Sequence, residues 1–371
     1  MKLSYWEIKS WLVDVDYTIV GSGIVGLSCA LHLKEHFPKA KILILEKGIL
    51  PQGASTKNAG FACFGSLSEI IDDLKSHSKE EVLELVKKRV DGLQLLRKTL
   101  GDKDIRYQAL GGYELFSKQD NLFEECLAKK EEINKLLKPM FNANVFSIND
   151  NVYQFKNIKP NYIYNQFEGQ IDTGKMMEAL LKKVLSKGIK ILNNTVVKSF
   201  SEGQNLVKID TNNFELSTSK LLIATNGFSS HLSIEEVKPA RAQVLITNPI
   251  KELPIKGTFH LDRGYYYFRN IDNRILLGGG RNLDFKTEET SKFGQTEVVQ
   301  NKLKELLRTT ILPETPFKIE HRWSGIMGVG SQKKAIVKQV SNNVFCGVRL
   351  GGMGVAIGSL VGKELGDLIC E

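Results

Sequence analysis

The chain has 371 residues, of which 42% are hydrophobic and 25% are charged. This composition is typical of a globular protein and argues against large-scale disorder, and the length fits two domains that share a core. The formal net charge is +9, but the lysines alternate with glutamates along predicted helices, which is typical of a solvated surface. We therefore do not expect nucleic acid as a partner. The five cysteines are scattered and support neither a disulfide framework nor a zinc site, so we expect no metal.

No apolar run reaches the ~18 residues that a membrane-spanning helix needs. Glu7 and Lys9 also interrupt the N-terminal segment, where a signal peptide would be apolar. We expect a cytoplasmic chain without a transmembrane segment.

Residues 16–46 predict one βαβ unit, around which the rest of the chain is organised. A β-branched strand leads into a G-x-G-x-x-G turn at 21–26, which begins an amphipathic helix, and a second apolar strand follows. Gly21 permits the tight turn, Gly23 lets the backbone approach a pyrophosphate, and Gly26 allows close packing of helix on strand. The phosphates would lie at the positive end of the helix dipole.

Glu46 ends the second strand, where a carboxylate accepts hydrogen bonds from both ribose hydroxyls and repels a 2′-phosphate. This favours FAD or NAD over NADP. We assign Ile24, Val25 and Lys47 to the same dinucleotide site. The alternative is an ordinary glycine-rich α/β turn that binds no nucleotide.

Residues 51–60 form a small, polar loop beside the predicted phosphate site. Hydroxyl and amide side chains are frequent in it, and such a loop can surround a pyrophosphate with backbone N–H groups and hydroxyls. The candidate residues are Ser55, Thr56, Lys57, Asn58, Ala59 and Gly60. A plain surface loop is the alternative.

Two predicted helices, at 69–100 and 121–137, interrupt the βαβ alternation, so a region is inserted into the nucleotide domain. The domain resumes near Asp172, which is a plausible N-cap of the next helix. A buried strand at 220–224 then ends in the turn A-T-N-G, where small residues let the chain pass close to a nucleotide. We assign Thr225, Asn226 and Gly227 of this turn to the site.

Residues 239–316 predict a mainly antiparallel sheet, which is the second domain. In the segment R-G-Y-Y-Y-F-R, a period of two puts two arginines and two tyrosines on one face, Arg263, Tyr265, Tyr267 and Arg269. Tyr266 and Phe268 lie on the other face. Phenols and guanidiniums on one face are typical of a polar cavity. A core strand remains an equally weighted alternative.

Near the C-terminal end, a strand, a glycine turn and a helix follow one another in the same order as in the first motif. The turn R-L-G-G-M-G, at 349–354, would present a second helix N-terminus to an electron-rich group. Arg349 lies at the end of the strand, facing that site. A surface arginine at a turn is the alternative.

With these segments in order, the chain resembles the D-amino-acid oxidase and glycine oxidase superfamily of FAD-dependent oxidoreductases. The resemblance covers nearly the whole chain and includes G-S-G-I-V-G with Glu46, G-A-S-T-K-N-A-G, A-T-N-G, Y-Y-Y-F-R, H-R-W-S-G and R-L-G-G-M-G. It implies a Rossmann-like FAD domain with an inserted α+β substrate domain on a mainly antiparallel sheet. The implied FAD domain comprises 1–75, 150–238 and 320–371, and the substrate domain comprises 76–149 and 239–319.

The resemblance also implies roles for individual residues. FAD would be held by the first glycine turn, Glu46 and the polar loop, and the backbone of Val197 would reach the adenine. Gly351, Gly352, Met353 and Gly354 would face the flavin pyrimidine ring and stabilise negative charge there. Arg349 matches the arginine that holds a substrate carboxylate in glycine-oxidase-like members, and Tyr265 matches a pocket tyrosine. Tyr267 and Arg263 are added from strand periodicity.

The implied activity is dehydrogenation of an amino acid or secondary amine to an imine, by hydride transfer to flavin N5. The electron acceptor would be oxygen or a quinone-like carrier. Relatives with covalent flavin carry a cysteine in the region 321–326, where this chain has none, so we expect non-covalent FAD; Cys63 and Cys346 are further candidates for lying near the flavin. The alternatives are an FAD enzyme acting on a modified tRNA base, a flavin-binding scaffold without turnover, and an NAD-dependent dehydrogenase. Substrate identity and oligomeric state stay open.

Overall fold

The computed structural model describes residues 3–370. Residues 1, 2 and 371, which the expected FAD domain includes, lie outside the described residues. No helix within 3–370 combines the length and the apolar content that crossing a bilayer requires.

The α-helices, in chain order, are Tyr5–Glu7 (α1), Ile24–His36 (α2), Ala54–Lys57 (α3), Leu67–Asp73 (α4), Lys79–Leu100 (α5), Leu122–Phe141 (α6), Thr173–Ser186 (α7), Phe285–Glu288 (α8), Glu297–Leu306 (α9) and Gly354–Cys370 (α10). Short π-helices extend α1 and α9, at Ile8–Leu12 and Leu307–Ile311, and 3₁₀ turns lie at Asn226–Leu232 and Arg281–Leu283.

The strands are Val15–Val20 (β1), Ile42–Leu45 (β2), Phe61–Ala62 (β3), Gly112–Leu115 (β4), Phe146–Asp150 (β5), Asn161–Asn165 (β6), Gly169–Gln170 (β7), Lys190–Leu192 (β8), Val197–Glu202 (β9), Val207–Thr211 (β10), Glu215–Ile223 (β11), Lys238–Thr247 (β12), Thr258–Leu261 (β13), Tyr266–Ile271 (β14), Arg274–Gly279 (β15), Ile319–Val329 (β16), Ile336–Ser341 (β17) and Val344–Val348 (β18).

The first sheet is built on parallel strands in the order β18-β11-β1-β2-β8. All four residues of β2 are apolar and buried, because both faces of a parallel sheet are covered. One face packs on α2, α5, α7 and α10, and Ile19 points to it. The other face, to which Val20 points, is covered by the antiparallel strands β9 and β10. Every parallel strand therefore has its carboxyl end at one shared edge.

The second sheet has the order β16-β12-β15-β14-β13-β4-β6-β5 and is antiparallel except where β13 pairs with β4. One face packs on α9 around Phe259 and Phe268, whose rings stack at 4.5 Å. The opposite face carries Val244, Tyr267 and Trp323 and turns towards the polar loop. The predicted fold class, a Rossmann-like domain joined to an α+β domain on a mainly antiparallel sheet, is confirmed.

The packing differs from the expected division of the chain in three places. Strands β6 and β16 lie in the second sheet, although both fall largely within ranges expected in the FAD domain, because β6 pairs with β4 and β16 pairs with β12 along its length. Helix α5, expected in the substrate domain, instead packs against α10 beside the first sheet.

The single helix predicted at 69–100 is wrong, since the chain forms α4 and α5 there. Ser66 and Ser78 each accept a hydrogen bond from the backbone N–H three residues later, and Glu69 and Glu81 complete two capping boxes. A second capping box begins a second helix.

Candidate active site

A cavity of about 1040 Å³ runs along the carboxyl edge of the first sheet and continues between the two sheets. The ends of β1, β2, β11 and β18 meet at this edge, because parallel strands all present their carboxyl ends on one side. The predicted motifs follow these strands directly. We call the part beside Glu46 the cofactor end and the part beside Tyr265 the substrate end.

The glycine turn leaves no room for side chains at two of its positions. A Cβ added at Gly23 would lie 2.8 Å from Oγ of Ser55, and one at Gly26 would lie 2.0 Å from the carbonyl oxygen of Gly21. Oγ of Ser55 accepts a hydrogen bond from the backbone N–H of Ile24 at 2.9 Å. The N-cap residue Gly23 gives α2 no side-chain cap, so the other N–H groups of the first turn can bind an anionic ligand at this end.

Glu46 is 5% exposed and is held by the turn that it faces. One carboxylate oxygen accepts from the backbone N–H and the hydroxyl of Ser22, at 3.0 and 2.7 Å, and the other accepts from the N–H of Gly48 at 2.9 Å. These bonds fix the carboxylate at the cavity wall. Lys47 lies beside it, with its ammonium 3.2 Å from the ring centre of Phe228, and burial lowers the pKa of Lys47.

The polar loop wraps one side of the cavity and is anchored at both ends. Nε1 of Trp323 donates to the carbonyl of Lys57 at 2.9 Å, and the side-chain oxygen of Asn58 accepts from the N–H of Gly60 at 2.8 Å. The hydroxyl of Thr56 donates back to the carbonyl of Pro51 at 2.7 Å. Thr56 therefore holds the loop together, and its neighbours line the cavity.

Asn226 joins the two remaining turns at the sheet edge. Its side-chain oxygen accepts from the backbone N–H groups of Arg349 and Leu350, at 3.1 and 3.2 Å. The hydroxyl of the neighbouring Thr225 is buried, lines the cavity and has no hydrogen-bond partner within the described residues.

The predicted polar face of the aromatic segment lies only partly at the cavity, because Arg269 is buried and does not line it. Tyr265 and Tyr267 line the substrate end, while Tyr266 packs into the core of the second sheet. Burial raises the pKa of Tyr267 to about 12, so its phenol remains a hydrogen-bond donor at neutral pH. Arg263 also lines the cavity, although it lies in the turn before β14, with a φ of 51°.

Arg349 lines the cavity and is half-buried, with a φ of 64°. Its Nε donates to the carbonyl of Lys334 at 2.9 Å, and its side chain passes Gly330. The terminal guanidinium nitrogens make no hydrogen bond within residues 3–370. They are free to bind an anion.

The sequence did not indicate a buried ion pair at the substrate end. Nε2 of His260 lies 3.1 Å from Glu168, and the two side chains are 5% and 1% exposed. Burial alone would lower the pKa of His260, but the Glu168 carboxylate outweighs it, and the pKa rises to about 9. His260 lines the cavity and Glu168 lies behind it. The two residues are 92 positions apart in the chain, so no local pattern could have found them.

Most of the predicted residues share this one cavity. Those that line it are Gly21, Gly23, Ile24, Val25, Glu46, Lys47, Ser55, Lys57, Asn58, Ala59, Gly60, Val197, Thr225, Asn226, Arg263, Tyr265, Tyr267, Arg349, Gly351, Gly352, Met353 and Gly354.

The other predicted residues lie behind the wall. Gly26 packs α2 on β1, and Gly227 packs against the backbone of Met327, where an added Cβ would lie 2.5 Å from its carbonyl oxygen. Cys63 lines the cavity, and burial raises its pKa well above the usual range. Cys346 lies in the sheet core instead.

The family model described as FAD dependent oxidoreductase (DAO) matches residues 16–368. The chain belongs to this family. The predicted resemblance is therefore confirmed.

Several known proteins align with almost the whole of this chain. Gamma-glutamylputrescine oxidoreductase of Escherichia coli is 22% identical, over 96% of this chain and 84% of the relative. The structure of L-proline dehydrogenase from P. horikoshii has a TM-score of 0.75 at 18% identity, covering 96% of this chain and 93% of that one. Glycine oxidase from Bacillus cereus has a TM-score of 0.72 at 18% identity, covering 96% and 94%. At these identities the structures support the fold.

FAD, the cofactor of the DAO family, fits the residues present. The glycine turn at Gly21 and Gly23, the start of α2 and the polar loop all line the elongated cavity. The glycine turn before α10 offers a second helix N-terminus further along the same wall. This set of donors suits a long ligand with phosphates at one end and an electron-rich ring at the other.

Proposed function

We propose that the chain oxidises the C–N bond of an amino acid or a secondary amine that carries a carboxylate. The substrate would lose a hydride from carbon and a proton from nitrogen, and water would hydrolyse the resulting imine. When bound, FAD supplies the centre that accepts the hydride. The residues of the chain bind the substrate, orient it and exclude water.

The observation that carries this proposal is the chemical character of the substrate end. Two buried groups of the second sheet are donors there at neutral pH, Tyr267 with a pKa of about 12 and His260 with a pKa of about 9, although the carboxylates of Glu69 and Asp72 also line the cavity. A site that had to remove a proton from carbon would need a base with a pKa near 7. Donors instead suit a carboxylate that must be held while a neutral amine loses a hydride.

Arg349 is the proposed carboxylate ligand. Its Nε is already fixed on the carbonyl of Lys334, so the guanidinium plane is oriented before the substrate binds. Two terminal nitrogens can then pair with both carboxylate oxygens, which holds the substrate carbon in one position. Tyr265 and Tyr267 would close the pocket on the side of the second sheet.

The names of similar proteins support this class of substrate. They refer to gamma-glutamylputrescine, L-proline and glycine, which are an amine or amino acids. We extend only that common chemistry to this chain. The electron acceptor in the proposal is oxygen or a quinone-like carrier.

The test is the visible spectrum of the purified holoprotein, recorded anaerobically before and after addition of D- and L-amino acids, N-methylated glycines and polyamines. Bleaching of the flavin band by a carboxylate-bearing amine supports the proposal. A flavin band that no such amine bleaches would overturn it.

The net charge of +9 favours a modified tRNA base as the second candidate substrate. Many surface lysines are, however, paired with acids one helical turn away, such as Lys129 with Glu132 and Lys363 with Asp367. Retention on tRNA at low salt that weakens steeply with added salt would favour this candidate. Absence of retention at low salt would remove it.

A further inference from the structure

Arg89 is a buried arginine at the substrate end that no sequence motif marks. It lies on α5, is 4% exposed and lines the cavity. Its Nη1 donates to the carbonyl of Phe64 at 2.7 Å, while its Nε has no partner. Within residues 3–370, no carboxylate lies within ion-pair distance of this guanidinium.

Two other buried cationic side chains have an acidic partner, which Arg89 lacks. Arg241 donates from Nε to Glu288 at 2.7 Å, and His260 lies 3.1 Å from Glu168. Arg269 is also buried without an ion pair, but it does not line the cavity. Buried charges are expensive unless they are paired. Arg89 combines a missing anion with a position at which a ligand could supply one.

The position of Arg89 is fixed by the packing of α5 on α10. Gly92, three residues later on the same side of the helix, lies so close to α10 that an added Cβ would be 2.3 Å from the carbonyl oxygen of Ala356. Gly65 passes over the guanidinium on the other side, where an added Cβ would be 3.1 Å from Nη1 of Arg89. These contacts hold α5 against α10 and the guanidinium of Arg89 beside Gly65.

A substrate with one carboxylate on Arg349 would leave Arg89 as an unpaired buried charge in the complex. Arg349 is half-buried and Arg89 is fully buried, and each has nitrogens without a partner. We propose that Arg89 binds a second carboxylate of the substrate, so that the substrate is an amine with two anionic groups. This inference rests on the proposed function, because it takes the ligand at the substrate end of the cavity to be the substrate.

The experiment measures binding to the holoenzyme without turnover. Acetate, malonate, succinate and glutarate are titrated at constant ionic strength, and binding is followed by calorimetry and by the shift in the flavin absorption band. We expect at least one dicarboxylate to bind more tightly than acetate. In Arg89→Met, the dissociation constant of that dicarboxylate should rise about 10- to 100-fold, as expected for loss of a charged hydrogen bond, while acetate binding changes little.

Arg89→Lys keeps the charge without the planar fork and should give an intermediate dissociation constant. Arg308→Met, at an exposed arginine outside the cavity, is the matched control. If Arg89→Met does not fold, the lysine variant and the dicarboxylate series of the unaltered protein still decide the question. A merely structural Arg89 would lower the melting temperature of the variant without changing the preference for dicarboxylates.

Two results would overturn the inference: no dicarboxylate binds more tightly than acetate, or the preference survives in both Arg89 variants. These results are independent of the proposed function. Bleaching by amines together with unchanged dicarboxylate binding in Arg89→Met refutes the second carboxylate alone. Dicarboxylate binding through Arg89 without bleaching by any amine refutes the oxidation alone.

Discussion

The two ends of the cavity are built in different ways. The cofactor end consists of backbone turns that directly follow parallel strands, and in its first turn a Cβ added at Gly21, Gly23 or Gly26 would meet a neighbouring atom at 2.0 to 2.8 Å. The substrate end consists of side chains from α5, β13, β14 and the turn before β14, which meet only after both sheets are formed. The first glycine turn therefore tolerates almost no added volume, while the substrate end is controlled by charge.

The strongest test of this difference is Gly23→Val. A Cβ there would lie 2.8 Å from Oγ of Ser55, in the turn where the pyrophosphate is proposed to bind. We expect FAD affinity to fall at least about tenfold, or more than 1.4 kcal/mol, measured as flavin absorbance per protein after gel filtration. Gly203→Ala is the control, because that glycine is exposed, lies outside the cavity and would bring a Cβ no closer than 3.3 Å to the carbonyl oxygen of Leu206. A normally yellow Gly23→Val protein would contradict the placement of the cofactor.

At the substrate end, the protonated form of His260 should stabilise the folded state. Its pKa is about 9 in the fold and 6.5 without it, so the folded state binds the proton more tightly. The stabilisation is fully present below pH 6.5 and is lost as the pH rises through 9, and it amounts to up to about 3 kcal/mol at 1.36 kcal/mol per unit. The measurement is urea unfolding across pH 6 to 9.5. In His260→Gln, the free energy of unfolding should depend much less on pH over this range. An equal pH dependence in the variant would mean that other groups cause it.

Arg349→Ala should raise the apparent KM and leave the flavin content unchanged. Loss of a charged hydrogen bond to the carboxylate costs about 1.5 to 3 kcal/mol, and steady-state kinetics with the amine that bleaches the flavin measure it. Arg308→Ala is the control, because that arginine is exposed and does not line the cavity. An unaltered KM would remove Arg349 from the substrate site.

The smallest expected effect is that of Tyr267→Phe. The ring is retained and only the phenol is lost, so kcat/KM should fall by about 0.5 to 1.5 kcal/mol. Tyr266→Phe changes the neighbouring residue, which faces the core, and should leave kcat/KM unchanged. Equal effects of the two substitutions would show that the two faces of the strand are not functionally different.

The same difference explains what could be predicted from the sequence. Gly21, Gly23 and Glu46 belong to one local pattern whose spacing carries its own geometry, so the βαβ unit and the confirmed fold class followed from it. Tyr265 and Tyr267 followed from a period of two.

Arg89, His260 and Glu168 could not be found in this way. None of them belongs to a motif, and their proximity depends on how α5 and the second sheet pack. The place of β16 in the second sheet could not be predicted for a similar reason, because its partner β12 is about 80 residues earlier, and pairing between distant strands leaves no local mark.

The shared carboxyl edge has a consequence for synthesis of the protein. Its two glycine turns, at Gly21 and Gly351, are 330 residues apart in the chain and line one cavity. A growing polypeptide therefore carries half of a cofactor site until β18 has paired beside β11. Capture of the flavin must be one of the last events of folding, and a chain stalled before β18 would expose the uncovered edge of a parallel sheet to aggregation.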